Sequence, residues 1–288
     1  MKRASLFIVA GMCLAVVCMA GQAQAAVLYG HGNWDKTLYR IDTDAQTTTV
    51  VGAGLVSRHG PEIEWDPTGD AVYMSDHAVS GKGLTLIDAT TGLSSGSVSW
   101  SGLPGDTNTT TAMEFVGSTL YGSFHKAGPE GVPGVLGTID TATGSVTTIG
   151  TMTGMNRPAG GLEFVDGVMY SVTATENGDS RLFTIDLATG AATAGAFFTL
   201  GGGQRDGITA LAYVEGVMYT LINEDEEGDG ILYSVDLATG EMTAEFNTGA
   251  MNSLTAGAAA AVAAIPEPAT AALVLLGAGG LICRRRAA

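Results

Sequence analysis

The central part of this 288-residue chain has no cysteine: Cys13 and Cys18 lie in an apolar N-terminal run and Cys283 in an apolar C-terminal one. That excludes a disulfide framework, a cysteine zinc site and a cysteine nucleophile between the two ends. Basic residues are scarce, with 13 Lys and Arg against 29 Asp and Glu and a net charge of −16. Five of them are Lys2, Arg3, Arg284, Arg285 and Arg286. Setting these and Glu267 aside leaves eight basic against 28 acidic residues, a net charge of −20 for the middle. Such a surface repels nucleic acid and anionic lipid, and it favours solubility and cations. The Gly-x-Ser-x-Gly elbow, the phosphate loop and His-Glu-x-x-His are all missing from the middle. Its many Thr, Val and Gly residues predict little helix.

The ends carry targeting signals. Lys2-Arg3, the apolar stretch Leu6 to Ala20 and the small-x-small site Ala23-Gln24-Ala25 predict a signal peptide over residues 1–25, with a mature start near Ala26. No convincing lipobox precedes Cys13 or Cys18. At the other end, Pro266-Glu267-Pro268 is followed by an apolar run from Ala271 to Cys283 and then Arg284-Arg285-Arg286. Counted from Ala269 the run has 15 residues, short of the ~20 that span a bilayer comfortably. Residues 269–283 carry no charge and no amphipathic period, which favours a short membrane anchor over a core helix. Gly277, Gly279 and Gly280 suit a membrane helix better than a soluble one. The arginines are expected to stay cytoplasmic, placing everything before Pro266 outside.

This order of Pro-Glu-Pro, apolar helix and arginine cluster over residues 265–288 resembles the PEP-CTERM sorting domain of Gram-negative bacteria. The resemblance implies Sec export, an inner-membrane-anchored precursor, and cutting near Pro266-Glu267-Pro268 by an exosortase. It also implies passage to the cell surface or medium, with exopolysaccharide or other envelope proteins as partners.

The middle is a repeat. A strand ending in Asp occurs as Leu38-Tyr-Arg-Ile-Asp42, Leu84-Thr-Leu-Ile-Asp88, Leu136-Gly-Thr-Ile-Asp140, Leu182-Phe-Thr-Ile-Asp186 and Leu232-Tyr-Ser-Val-Asp236, with the aspartates 46, 52, 46 and 50 residues apart. Four copies continue as Asp-x-x-Thr-Gly. In such a hairpin the Asp side chain accepts turn N–H groups and Gly supplies a positive φ. The first copy has Gln46 in place of Gly, so its turn is expected to be strained or differently shaped. Two further strands precede each unit. One ends in an aromatic (Ile63-Glu64-Trp65, Met113-Glu114-Phe115, Leu162-Glu163-Phe164, Leu211-Ala212-Tyr213). The next carries a tyrosine (Tyr73, Tyr121, Tyr170, Tyr219).

Four antiparallel strands per 46–52 residues predict an all-β fold, a five-bladed β-propeller over residues 26–264. The middle starts at Val27-Leu-Tyr29, which matches a second strand. Asn252 to Val262 aligns with Gly207 to Val214, so the C-terminal segment is expected to complete blade one and close the ring. An open β-solenoid and a sandwich are the alternatives. The units also loosely resemble extracellular propellers with Leu-Tyr-x-Ile-Asp-x-x-Thr-Gly repeats, which carries fold only.

Three sets of residues are candidates for chemistry. Glu64, Glu114 and Glu163 occupy equivalent places on innermost strands. Their carboxylates are expected to approach the axis and raise one another's pKa, with the neighbouring aromatics pointing into the core. An ion-pair network with Arg58, Arg157 and Arg205 fastening the blades is the leading expectation; a channel-bound cation or an acid/base pair would be the functional one. His77 and His125, each four residues after the blade tyrosine, could add to a metal site with Glu64, Glu114 and His59, or be solvated hairpin residues. Asn223, Asp225, Glu227 and Asp229 resemble the opening of a calcium loop, although Ser234 stands where a bidentate Glu would close it; the alternative is a solvated acidic hairpin. Trp34 could stack on a sugar or simply pack at the rim.

No cofactor follows with certainty, Ca²⁺ being the candidate. The leading expectation is an exported, non-catalytic propeller. A metal-dependent propeller lactonase, a polysaccharide lyase or hydrolase, and a calcium-stabilised module are the alternatives.

Overall fold

The computed structural model describes residues 27–32, 37–53, 63–66, 71–76, 83–103, 109–125, 132–174, 179–208, 210–223, 230–248 and 259–260. The segments expected to be a signal peptide (1–25) and a sorting tail (265–288) therefore lie outside the described residues. So do Arg58, His59, His77, Trp34, Asp225, Glu227 and Asp229.

The described residues form strands and turns, with no helix among them. Five four-stranded antiparallel sheets follow one another along the chain. Blade one contains β1 (Val27–Gly32), β2 (Thr37–Asp42) and β3 (Thr47–Ala53). Blade two is β4 (Ile63–Trp65), β5 (Ala71–Asp76), β6 (Gly83–Asp88) and β7 (Ser94–Ser99). Blade three is β8 (Thr109–Val116), β9 (Thr119–His125), β10 (Val135–Ile139) and β11 (Val146–Thr151). Blade four is β12 (Gly161–Val165), β13 (Val168–Ala174), β14 (Ser180–Ile185) and β15 (Ala192–Phe197). A two-stranded hairpin, β16 (Thr199–Leu200) with β17 (Gly203–Gln204), follows it. Blade five is β18 (Ala212–Val214), β19 (Val217–Asn223), β20 (Gly230–Val235) and β21 (Met242–Asn247).

The first strand of blade one comes from the far end of the array. β22 (Ala259–Ala260) pairs antiparallel with β1, Tyr29 opposite Ala259 and Leu28 opposite Ala260. The innermost strands then touch in a closed cycle: β22 with β4, β4 with β8, β8 with β12, β12 with β18, and β18 with β22. That cycle makes the array a closed five-bladed propeller and sets aside the solenoid and the sandwich. Closure removes the free sheet edges that an open array would expose.

The core lies between blades, one apolar cluster per seam. Leu84 of blade two meets Met113, Leu120 and Phe124 of blade three. Val172 and Leu182 of blade four meet Leu211, Met218 and Tyr233 of blade five. Leu28 and Ile41 of blade one meet Val214, Leu221 and Leu232 of blade five. The inner strands are buried on both faces for this reason, whereas outer strands such as β7 are mostly exposed. All five outer strand pairs also carry a register shift, which increases the twist at the rim.

The aspartate turns form as their sequence predicts. Asp88 Oδ1 accepts the N–H groups of Thr90 and Thr91, both at 2.8 Å, and Asp140 and Asp236 repeat the pattern. These bonds hold the pKa of Asp88, Asp140 and Asp236 below the usual value. The turn glycine also docks on the outer strand of the preceding blade. A Cβ at Gly240 (φ 73°) would run into the Phe197 carbonyl oxygen, and one at Gly92 would meet Gly52. In blade one, Gln46 takes φ 52°, a left-handed conformation that costs a side-chain-bearing residue energy. The turn keeps the glycine conformation without the glycine.

Candidate functional site

Glu64, Glu114 and Glu163 sit on β4, β8 and β12, each opposite its blade's tyrosine: Tyr73, Tyr121 and Tyr170. Cross-strand partners share a sheet face, so each Glu and its Tyr face the next blade. The aromatic that follows each Glu points the other way, into the seam with the preceding blade. Trp65 stacks on Tyr29 at 5.4 Å between ring centroids, and Phe115 meets Tyr73 at 5.8 Å.

The carboxylates serve this same joint. An innermost strand has no neighbour on its axial side, so half of its N–H groups need another acceptor. Glu64 Oε1 accepts the Phe115 N–H at 3.2 Å. Glu114 likewise accepts from the Phe164 N–H, and Glu163 from the Tyr213 N–H. Each of the three thus ties its blade to the next. Ala212 and Ala259 hold the equivalent places opposite Tyr219 and Tyr29, so two of the five seams lack the carboxylate.

The three glutamates are 9%, 7% and 7% exposed. Burial pushes the Glu64 carboxyl up to about 8, against the lowering effect of the Phe115 N–H and of its hydrogen bond with Glu114. Burial also raises Glu114 and Glu163 well above the carboxylate range. Repulsion from Glu64 adds to both, and repulsion from Glu163 adds to Glu114. Glu64 and Glu114 also share a side-chain hydrogen bond, so the two titrate as a pair.

The structure therefore brings Glu64, Glu114 and Glu163 together; burial is the first cause of their raised pKa, and the repulsion expected from the sequence adds to it at Glu114 and Glu163 and not at Glu64. Of the arginines expected to fasten the blades, Arg58 lies outside the described residues. Among the described residues the carboxylates tie blades through backbone N–H groups and one another, and no arginine contributes to their shifts. Backbone donors suit this place because every strand supplies one at a repeating position, whereas a guanidinium would need its own desolvation. The ion pair among the described residues is Arg40 with Asp42, 3.8 Å apart at the surface. No group of three or more His, Cys, Asp or Glu is arranged to hold a metal among the described residues. His125 ends β9, and desolvation lowers its pKa. Asn223 ends β19, at the start of the acidic segment. No helix of the described residues is long and apolar enough to cross a membrane.

One feature escapes the sequence reading. A cleft of about 410 Å³ opens between blades four and five, lined by Asp166, Val168, Tyr170, Tyr213, Asp236 and their neighbours. The neighbouring seam between blades three and four has Gly117, Thr119 and Phe164 where this seam has Asp166, Val168 and Tyr213.

No known family's sequence model matches the chain, and no curated protein matches its sequence. Solved structures similar to it include a glutaminyl cyclase of Myxococcus xanthus, at 16% identity and a TM-score of 0.46, covering 88% of this chain and 78% of that one. A protein of unknown function from Bacteroides caccae shows 12% identity and a TM-score of 0.49, with 83% and 99% covered. A Bacteroides ovatus xyloglucan-locus protein, GH43B, shows 18% identity and a TM-score of 0.46, with 64% and 40% covered. Likeness at this level assigns the chain no activity. The class it belongs to follows from its own strands: a closed five-bladed β-propeller.

Proposed function

We propose that the protein is an exported, non-catalytic β-propeller that acts as a binding or structural component at the cell surface or in the extracellular matrix. Export and release follow from the signal peptide over 1–25 and the sorting tail over 265–288. An exosortase-type enzyme cutting near Pro266-Glu267-Pro268 would release the ring just after its closing strand. One observation carries the non-catalytic part: the carboxylates best placed for acid/base work have backbone partners. Glu64 holds the Phe115 N–H, and all three glutamates are under a tenth exposed. A general acid or base must reach its substrate within hydrogen-bond distance, and these groups are committed to the seams.

The test is fractionation of cells producing the tagged full chain and a version lacking residues 265–288. The full chain is expected at the surface, in the matrix or in the medium, shortened at its C-terminus, and the truncated chain elsewhere. Identical distribution of the two would overturn the sorting reading. Hydrolysis or elimination of a glycan or lactone by the purified protein, abolished in Glu114→Gln, would overturn the non-catalytic one.

A further inference from the structure

We propose that the cleft between blades four and five binds a neutral sugar unit of a surface glycan. The proposal rests on the reading of the protein as an exported binding module and gives that module a site. At about 410 Å³ the cleft falls within the ~300–1,000 Å³ of small-molecule sites. Its wall combines an apolar part with a few polar groups. Val168 is 37% exposed, one of four large apolar residues left open among the described residues. Tyr170 and Tyr213 are half-buried, each an apolar ring with a hydroxyl. Asp166 and Asp236 are exposed at the turns that bound the cleft. Asp236 commits Oδ1 to the N–H groups of Ala238 and Thr239, at 2.8 and 3.0 Å, which fixes the carboxylate in place.

Apolar surface for the C–H face of a pyranose, flanked by carboxylates and phenols for its hydroxyls, is the chemistry that recognises a sugar ring. Among the described residues the lining contains no lysine or arginine, so a uronic acid or sulfated sugar would meet two carboxylates and no counter-charge there. Neutral sugars fit and acidic ones do not.

The protein's own repeat supplies a conservative test. The seam between blades three and four shows which residues these places tolerate, so Asp166→Gly, Val168→Thr and Tyr213→Phe together rebuild the cleft as its plainer neighbour. Gly accepts the left-handed φ of 49° that Asp166 now adopts, and Phe keeps the ring in the core. Cellobiose, maltose and lactose are titrated into the protein as the host exports it, with a galacturonic acid dimer as the acidic control. Binding is read by saturation-transfer NMR and calorimetry.

At least one neutral disaccharide is expected to bind. The triple variant is expected to weaken it by about tenfold or more, with its melting temperature preserved. If the triple variant does not fold, Tyr213→Phe alone carries the test, with a several-fold loss expected. Failure of all three neutral disaccharides, preference for the acidic dimer, or retention of affinity within about twofold in the variant would each overturn the proposal. The failures separate cleanly. A protein that stays in the matrix without binding these sugars refutes the cleft alone; one that binds them but never leaves the cell refutes the exported reading alone.

Discussion

Replacing Glu64 by glutamine should make the ring less sensitive to alkaline pH. In the folded protein the Glu64 carboxyl titrates near 8, against 4.5 when exposed, chiefly because burial disfavours its charged form. Between these values the folded state holds a proton that the unfolded state has released. Stability is therefore fully present below pH 4.5 and is lost as pH rises toward 8. A shift of this size corresponds to at most about 5 kcal/mol across the interval, at 1.36 kcal/mol per pKa unit. Glutamine is neutral at every pH and its amide oxygen can still accept the Phe115 N–H. The assay is thermal unfolding at half-unit steps from pH 5 to 8.5, for the protein and Glu64→Gln. The protein should lose melting temperature toward pH 8, and the variant should lose less. With ~2–4 °C per kcal/mol for a domain of this size, a difference of several degrees at pH 8 is expected. Glu64→Ala gives the contrast: it strands the Phe115 N–H and should cost about 1–3 kcal/mol even at pH 5. A flat pH profile in the unsubstituted protein, or parallel profiles for both, would refute the assignment of a buried carboxyl with a raised pKa.

Other consequences follow from single positions. Gln46→Gly should raise stability by about 0.5–1 kcal/mol, read as a higher urea midpoint, because the turn already adopts the conformation glycine prefers. Gly240→Ala should lower the midpoint by more than about 1 kcal/mol, since it adds both a left-handed penalty and a clash with the Phe197 carbonyl. If the acidic segment after Asn223 binds calcium, millimolar Ca²⁺ should raise the melting temperature, and Asp225→Asn with Glu227→Gln should abolish the gain. An unchanged melting temperature with Ca²⁺ would leave that segment a solvated hairpin.

The blade pattern was legible because it is local. A strand ending in Asp, a Thr-Gly turn and a tyrosine every 46–52 residues are periodic features, and period sets strand faces without knowledge of the partner. The turn chemistry of Asp88, Asp140 and Asp236 was equally visible, since donor and acceptor lie within three residues. The strain at Gln46 showed as one missing glycine. The place of the three glutamates could also be read from their alignment.

What each carboxylate bonds could not be read, because its partner lies in the next blade: Glu64 reaches Phe115, 51 residues away. The donor at Phe115 is a backbone N–H, which every residue carries and no sequence distinguishes. The cleft is of the same kind, built from Tyr170 in one blade and Tyr213 in the next. The sequence alone determined the blades and their number, since these rest on short-range order and periodicity. Only the tertiary structure decided which backbone N–H groups the buried carboxylates accept across the seams, and that one seam opens. Those are matters of which surfaces meet, and non-local contacts leave no period in the chain.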